Sequence, residues 1–345
     1  MPLNTEKTLG KRVAVYGATG HTGLFVVEEL LRRGFVPIAI ARSEEALTSA
    51  RFSDPKVIRR RATVDDAESL DRALAGAAAV INCAGAFLDT ASAVAAAAMR
   101  AGIHYLDVTA EQPNALATLD DFDAPARKAG VAVIPAMGFY GGFADLLATV
   151  AVGEWDDVDG IEVLIGLDSW HPPRGTRLTG ERNTARRLVV ENGQLVPVNL
   201  PPAEKVWSFA EPVGRQATLE IPFSEVILIS SHLKPSSLHT HLSANALRDV
   251  RDAATPAPVV DATGRSTQHF VVEVVATAGG RTRRVIAKGR DIYAFSAPLI
   301  CEVAERLLRP DFAHAGAHAP GAILDAHDVL SALRPDHLTF EVFND

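Results

Sequence analysis

The chain has 345 residues, 48% of them apolar and 22% charged, a balance that excludes a disordered or fibrous protein and leaves room for two domains, each with its own core. A formal charge of -8 excludes broad affinity for nucleic acid or an anionic membrane, since a net negative surface repels both polyanions. The two cysteines, Cys83 and Cys301, lie far apart and outside any metal-ligand spacing, so no disulfide framework is expected and a reducing compartment is favoured.

Residues 1–11 are short, polar and end in basic side chains, with no apolar stretch that a secretory leader would need. The strongest apolar runs, 73–86 and 91–98, are broken by polar residues and too short to span a bilayer, so a cytoplasmic protein is expected. From residue 12 to about 136, apolar strands alternate with helical stretches. Strands are expected at 12–16, 36–41, 57–61, 78–83, 104–108 and 131–135, and helices at 22–33, 66–75, 90–101 and 115–128. Such alternation implies right-handed crossovers, and hence an α/β chain opening with a Rossmann, doubly wound parallel sheet.

Beyond about residue 145 the texture changes to strands with alternating faces, expected at 160–167, 195–198, 225–231, 270–277 and 282–288. Asn192-Gly193 and Gly279-Gly280 are hairpin turn pairs, and prolines at 171–173, 197–202 and 254–258 mark loops. This predicts a second, α+β domain with a largely antiparallel sheet, whose outer face favours a homodimer. An amphipathic helix at 297–308 follows, and 329–343 closes the chain. The expected domains are 1–144, which binds the dinucleotide, 145–290 for substrate and dimerisation, and 291–345.

The most specific signal is Val13-Ala14-Val15-Tyr16-Gly17-Ala18-Thr19-Gly20-His21-Thr22-Gly23, a strand running into a glycine-rich turn that opens a helix. Gly17 allows the tight turn, Gly20 lets the backbone approach a pyrophosphate, and Gly23 permits close packing of helix on sheet. The helix N-terminus offers unpaired N–H groups and partial positive charge to the phosphates. Gly17, Thr19, Gly20, His21, Thr22 and Gly23 are therefore cofactor candidates. The second strand ends in Arg42-Ser43 and carries no acid at its tip. An arginine there pairs with a 2′-phosphate where an acid would hold a ribose hydroxyl, which favours NADP(H) over NAD(H). Ser43 also suits the cap of the next helix, and Glu44 is the residue that would reach a ribose instead. Cys83, Ala84 and Gly85, after the fourth strand, are small enough for a cofactor to lie across them; Cys83 has no activating base beside it and reads as packing.

Ligands of open α/β sheets bind beyond the carboxyl ends of the strands. Asp107 and Glu111 follow the fifth strand, and Met137 to Tyr140 follow the sixth. Tyr140 is the candidate proton donor, provided that a cation or the cofactor lowers its pKa; the competing reading packs it as a hinge aromatic. Asp107 is the second catalytic candidate, against a role in fixing a loop, and Glu111 either caps a helix or contacts an amine. Arg182 and Arg186 are spaced to share one helical face and clamp a carboxylate, although a solvated face explains them too. His239 and His241 share one face of a strand-like stretch but lack a third ligand, so no metal is expected. Nucleophile-elbow, zinc-protease and P-loop motifs are missing.

Several of these segments resemble the saccharopine dehydrogenase-like oxidoreductases: the loop 17–23, Tyr105-Leu106-Asp107-Val108-Thr109-Ala110-Glu111, and Pro135-Ala136-Met137-Gly138-Phe139. So do Gly175-Thr176 with Thr179, and Gly289-Arg290-Asp291-Ile292-Tyr293 followed by Ser296-Ala297 and a helix. The resemblance runs in order over nearly the whole chain. It implies an NADPH-dependent reductase acting on a C=N, C=C or C=O bond of a small-molecule substrate, with the last helix packed back against the Rossmann domain. Substrate is expected at Glu111, Gly138, Phe139, Thr176 and Arg182. Where many relatives carry Gly-Phe-Asp and then Pro-x-Asp, this chain reads Gly138-Phe139-Tyr140-Gly141-Gly142-Phe143-Ala144-Asp145, and its Gly-Thr segment stands among Arg174, Arg177, Arg182, Arg186 and Arg187. The saccharopine reaction itself is therefore not carried over. A non-catalytic NADP(H)-binding sensor or regulatory protein is the alternative reading, and a cofactor-using isomerase or lyase a third.

Overall fold

A computed structural model describes residues 10–344, so that the N-terminal stretch read as lacking a leader lies, apart from residues 10 and 11, outside the described residues. The chain divides into two compact units. One comprises the residues up to Thr109, Pro113–Gly138 and Ser296–His318; the other comprises Ala110–Gln112, Phe139–Phe295 and Ala319 to the end.

The first unit is built on strands β1 (Arg12–Tyr16), β2 (Val36–Ala41), β3 (Ile58–Arg61), β4 (Ala79–Asn82), β5 (His104–Asp107) and β6 (Ala132–Ile134). Between them run helices α1 (His21–Arg32), α2 (Ala67–Leu74), α3 (Phe87–Ala101) and α4 (Gln112–Ala129). All six expected strands are present, each within two residues of its expected limits. β1 and β4 are buried nearly throughout, as strands of a sheet covered on both faces must be, which is why their residues run apolar without alternation. The sheet has seven strands, all parallel, in the order β3-β2-β1-β4-β5-β6 followed by residues Gly316 and Ala317, a two-residue strand that no sequence pattern announces. Strand order reverses between β1 and β4, the crevice where dinucleotides bind in such sheets.

In the second unit α5 (Ala144–Val152) leads into β7 (Gly160–Leu167), α6 (Arg174–Arg182), β8 (Leu188–Glu191), β9 (Gln194–Pro197), β10 (Glu204–Ser208) and β11 (Arg215–Glu220). Then follow α7 (Glu225–His232), β12 (Ser237–Ser243), α8 (Ala244–Arg251), β13 (His269–Ala278) and β14 (Arg281–Arg290). The helix α9 (Ile292–Leu307) leaves this unit, and the strand at Gly316–Ala317 (β15), α10 (Pro320–Ile323), α11 (Ala326–Ala332) and β16 (Leu338–Asn344) complete the chain. The nine-stranded sheet is antiparallel except for the pair β12 and β7. Both turn pairs close hairpins: Asn192 and Gly193 have φ of 51° and 73°, and Gly279 and Gly280 of 55° and 77°, the left-handed geometry of a type I′ turn.

Three expectations are corrected. Residues 225–231 form helix α7, not a strand; Glu225 to Ile229 are all buried, and a continuously apolar run has no period to separate buried helix from buried strand. The late helix starts at Ile292, five residues ahead of 297, because Asp291 caps it: its Oδ1 accepts from the Tyr293 and Ala294 amides at 3.0 Å each. Pro298, which favours a first turn, lies inside. Arg182 and Arg186 do not share a helical face, since α6 ends at Arg182 and Asn183 leaves the helix, while Arg186 donates to the Val198 carbonyl.

Two buried polar ties hold the first unit. Arg33 reaches Glu29 at 2.6 Å, Glu302 at 2.6 Å and Glu305 at 2.8 Å, linking α1 to α9. In β5, His104 accepts from the Ala132 amide at 3.0 Å through Nδ1, which requires that nitrogen to be unprotonated. Burial, aided by Lys11, lowers the pKa of His104 to about 4. Because the folded value lies below the ordinary one near 6.5, the stability it contributes is present above that value and lost as pH falls toward 4. Acid unfolding is expected to deepen by up to about 3 kcal/mol between these limits. A His104→Asn variant, measured by denaturant titration at pH 7.5 and 4.5, is expected to flatten that slope.

Candidate functional site

The glycine-rich loop is shaped by severe contacts at two of its glycines and by a milder one at the third. Gly17 has φ of 79°, and its amide and that of Ala18 both donate to the Ile40 carbonyl, at 3.0 and 3.1 Å. A Cβ on Gly17 would meet the Ala84 nitrogen at 2.8 Å; one on Gly23 would lie 2.3 Å from the Gly17 oxygen. Those two glycines are therefore demanded by packing. Gly20 differs: it is extended, with φ of -77°, and an added Cβ would meet nothing nearer than the Gly17 oxygen at 3.2 Å. Any residue could adopt that backbone, at the cost of a shift of a few tenths of an ångström from that oxygen, and the missing side chain leaves the loop bare for close approach. Immediately behind it α1 opens with amides that no helix satisfies internally. The loop thus fits a pyrophosphate: the His21, Thr22 and Gly23 backbone would hold it, with Thr19 beside them. The His21 ring stands edge-on to Phe25 at 5.3 Å.

Around this loop the neighbouring strand ends present small groups. Cys83 donates its amide to the Tyr16 carbonyl at 2.8 Å, which brings Cys83, Ala84 and Gly85 beside Gly17. Asn82, fully buried and unmarked by any motif, organises them: its Oδ1 accepts from Ala84 N at 3.0 Å and its Nδ2 donates to Thr90 Oγ1 at 3.2 Å. Burial pushes the Cys83 thiol up, away from thiolate. At the tip of β2, Arg42 is exposed, and the Ser43 hydroxyl accepts from the Ala46 amide at 3.2 Å, so Ser43 does cap the short turn that follows.

Asp107 sits at the end of β5 with no exposure. Its oxygens accept from Thr109 N at 3.0 Å, Ala136 N at 2.8 Å and the Tyr105 hydroxyl at 2.9 Å. These bonds fasten the loop after β5 to the loop after β6, where Ala136 has φ of 56° and Gly138 leaves only 3.3 Å between an added Cβ and Val108. Burial raises the carboxyl pKa against those donors. This is the geometry of a loop fastener.

Within the second unit, Tyr140 stacks on Phe223 at 4.3 Å and lies 5.3 Å from Trp170 and 5.0 Å from Phe139. Gly141, at φ of 145°, turns the chain after it, and the Ser224 hydroxyl donates to the Tyr140 carbonyl at 2.8 Å. The phenol is not depressed as the sequence reading required: burial first, then Tyr293 and Glu225, push it well above its ordinary value, and Arg187 only partly opposes them. Its hydroxyl is buried without a partner among the described residues. Arg187 lies over the Phe223 ring at 4.5 Å and donates to the Pro222 carbonyl at 2.5 Å. Thr176 reaches the Tyr293 hydroxyl at 3.0 Å, and that hydroxyl also accepts from Trp170 Nε1 at 2.8 Å, so Thr176 joins the Tyr140 cluster.

Phe139 joins the cluster through its edge-on contact with Tyr140. It also packs among Phe143, Phe270 and Phe295, Glu111 is buried just ahead of α4, and Arg182 is exposed at the end of α6. His239 pairs with Glu220 at 2.7 Å, and His241, which shares its strand, lies 3.5 Å from Glu162. Among the described residues no group of three or more histidines, cysteines or carboxylates is placed to hold a metal ion, and no helix is long and apolar enough to cross a membrane.

Sequence reasoning missed Glu225, because its segment read as a strand. It is wholly buried, its Oε1 accepts from Phe223 N at 2.8 Å, and its Oε2 has no partner among the described residues. Burial raises its pKa. A raised carboxyl favours the folded state below the ordinary carboxylate pKa and costs stability as pH climbs through the folded value. Glu225→Gln is expected to raise the melting temperature at pH 8 and to lose that gain at pH 4, as scanning calorimetry at both pH values will report. For the loop, Gly23→Ala is expected to cost about 1–3 kcal/mol by overpacking. Gly20→Ala should stay within about 1 kcal/mol of the parent protein while weakening dinucleotide binding, a contrast that urea melts and calorimetric titration resolve.

Residues 13–134 match the family model of the saccharopine dehydrogenase NADP binding domain. No curated protein matches the sequence. Among solved structures, saccharopine dehydrogenase (L-Glu forming) from Saccharomyces cerevisiae is similar over 97% of this chain and 100% of its own, at 14% identity and a TM-score of 0.68. A mutant meso-DAPDH from Clostridium tetani E88 is similar over 89% of this chain and 92% of its own, at 11% identity and a TM-score of 0.49. A short chain dehydrogenase from Burkholderia cenocepacia J2315, solved in complex with NADP, covers 37% of this chain and 72% of its own, at 19% identity and a TM-score of 0.30. The resemblance read from the sequence is thus borne out, by the domain match in the first unit and by the yeast structure at the level of fold.

Proposed function

We propose that the protein is an NADPH-dependent reductase of a C=N, C=C or C=O bond in a small-molecule substrate. The observation that carries the proposal is the bare backbone at Gly20, ahead of the N-terminal amides of α1 and at the strand-order reversal, within a segment matching an NADP-binding domain. When bound, the cofactor supplies hydride. Gly17 and Gly23 bring helix and sheet together, the α1 N-terminus meets the pyrophosphate charge, and Arg42 meets the 2′-phosphate.

Tyr140 is assigned the polar contact to the reducible group. Its phenol, kept protonated by burial and without a partner among the described residues, donates a hydrogen bond to the oxygen or nitrogen that gains electron density. Phe223, Trp170 and Phe139 hold the ring in place, and Thr176 with Trp170 orients Tyr293 alongside. Asp107 positions the loops beyond β5 and β6 and takes no proton in this reading.

Calorimetric titration with NADPH and NADH in parallel is the first test; tight NADPH and weak NADH binding is expected, and no binding of either would remove the basis of the proposal. Tyr140→Phe deletes a buried hydroxyl that has no partner among the described residues, so it should keep or slightly raise the melting temperature and leave NADPH affinity unchanged. Across a panel of imines, enones and keto acids followed by NADPH oxidation, the variant's turnover is expected to fall about 100-fold or more. Unchanged turnover would show that the ring only packs, and tight NADPH binding with no turnover of any substrate would favour a sensor.

A further inference from the structure

Three arginines follow one another on the edge strand β3, Arg59-Arg60-Arg61, and the strand's alternation sends the middle one to the opposite face. Arg60 is used structurally, donating through Nη1 to the Ala73 and Ala75 carbonyls at 2.8 and 2.7 Å. Arg61 is different. Its Cα is paired with Ala41 in the parallel register, and its Nε donates to the carbonyl oxygen of Arg42 at 3.1 Å. The side chain therefore crosses the tip of β2 and leaves both terminal nitrogens of its guanidinium without a partner among the described residues.

No carboxylate among the described residues forms an ion pair with Arg42, Arg59 or Arg61. In a chain with 42 acidic and 34 basic residues, three unpaired guanidinium groups at one corner of one sheet run against composition. Like charges gathered without counter-ions cost free energy unless an anion arrives between them. Along the chain, Glu44 and Glu45 stand two and three residues beyond Arg42, and Asp65 four beyond Arg61, where it accepts from the Thr63 hydroxyl at 3.4 Å.

Resting on the NADPH reading above, we infer that Arg61 is the second arm of the 2′-phosphate site: Arg42 and Arg61, from the carboxyl ends of adjacent strands, hold the adenosine 2′-phosphate between them. The bond from Nε to the Arg42 carbonyl matters because it fixes the plane of the guanidinium before the ligand binds. Less side-chain freedom is then lost on binding, and Nη1 and Nη2 form a fork suited to two phosphate oxygens. Arg59, two residues back on the same face and paired with Ala39, adds attraction at a distance without contact. Such a clamp discriminates between the two nicotinamide cofactors and is indifferent to the substrate.

The test is calorimetric titration of the full chain, as wild type, Arg61→Gln, Arg61→Lys and Arg42→Gln, with NADPH, NADH and adenosine 2′-monophosphate. Arg61→Gln is expected to weaken NADPH and adenosine 2′-monophosphate about 10- to 100-fold and to leave NADH within about twofold, the loss of one charge-assisted contact. Arg61→Lys, which keeps charge but not the fork, should fall between. Melting temperatures of all variants should match the parent's, because Arg61 is exposed. Equal weakening of NADPH and NADH would mean that Arg61 only shapes the loop and would overturn the inference, as would no effect on either. If Arg42→Gln loses the NADPH preference while Arg61→Gln keeps it, the inference fails and the NADPH reading stands. A wild-type protein that prefers NADH, or binds neither, overturns both.

Discussion

A carboxylate sealed from water must be served by protein donors, and Asp107 is served by three. Two are backbone amides from separate loops and one is a phenol two residues upstream on its own strand. Each loop that leaves the carboxyl end of β5 or β6 is tied at the residue where it departs, and the strained turn at Ala136 is held by the same oxygen that holds Thr109. Without that carboxylate two amides would be left buried and unpaired, each at about 1–3 kcal/mol. The strand ends that face the crevice are therefore one hydrogen-bonded object, and Asn82 does the same for β4 on a smaller scale.

The parallel sheet was legible because every feature that specifies it is local. Alternation of apolar strand and helix sets the class, glycines mark the first turn, and the right-handed crossover leaves few topologies. Gly17 and Gly23 carried their roles openly, because a missing side chain at fixed spacing has few explanations. What stayed hidden depends on distant partners. Gly316 and Ala317 have no strand propensity of their own and are extended only because the amides of 316 and 318 find carbonyls at Val131 and Val133. Asn82 is one polar residue at the end of an apolar strand, and nothing in its neighbours says what its amide will bond.

The second unit shows a different limit. Its hairpins were read from Asn192-Gly193 and Gly279-Gly280, where turn chemistry dictates the backbone. Helix α7 was not, since a segment buried on every side has no polar face to reveal its period. That single misreading hid Glu225 along with it. The same unit gathers Tyr140, Trp170, Phe223, Tyr293 and Thr176 from five separate stretches of chain, a convergence that only the folded sheet produces. Tyr140 itself was visible from its place after the sixth strand, but the sign of its pKa shift was not, because burial outweighs the one cation near it.

The first unit takes its last strand from residues 316 and 317, after residues 139–295 of the second unit have been made. A ribosome releasing the chain has therefore finished the glycine-rich loop nearly three hundred residues before the open side of β6 receives its neighbour. Until then that strand offers bare amides and carbonyls to any passing extended segment. The order of synthesis is thus opposed to the order of the sheet, and the nascent protein carries a sticky flank from the completion of β6 at Ile134 until Gly316 is made.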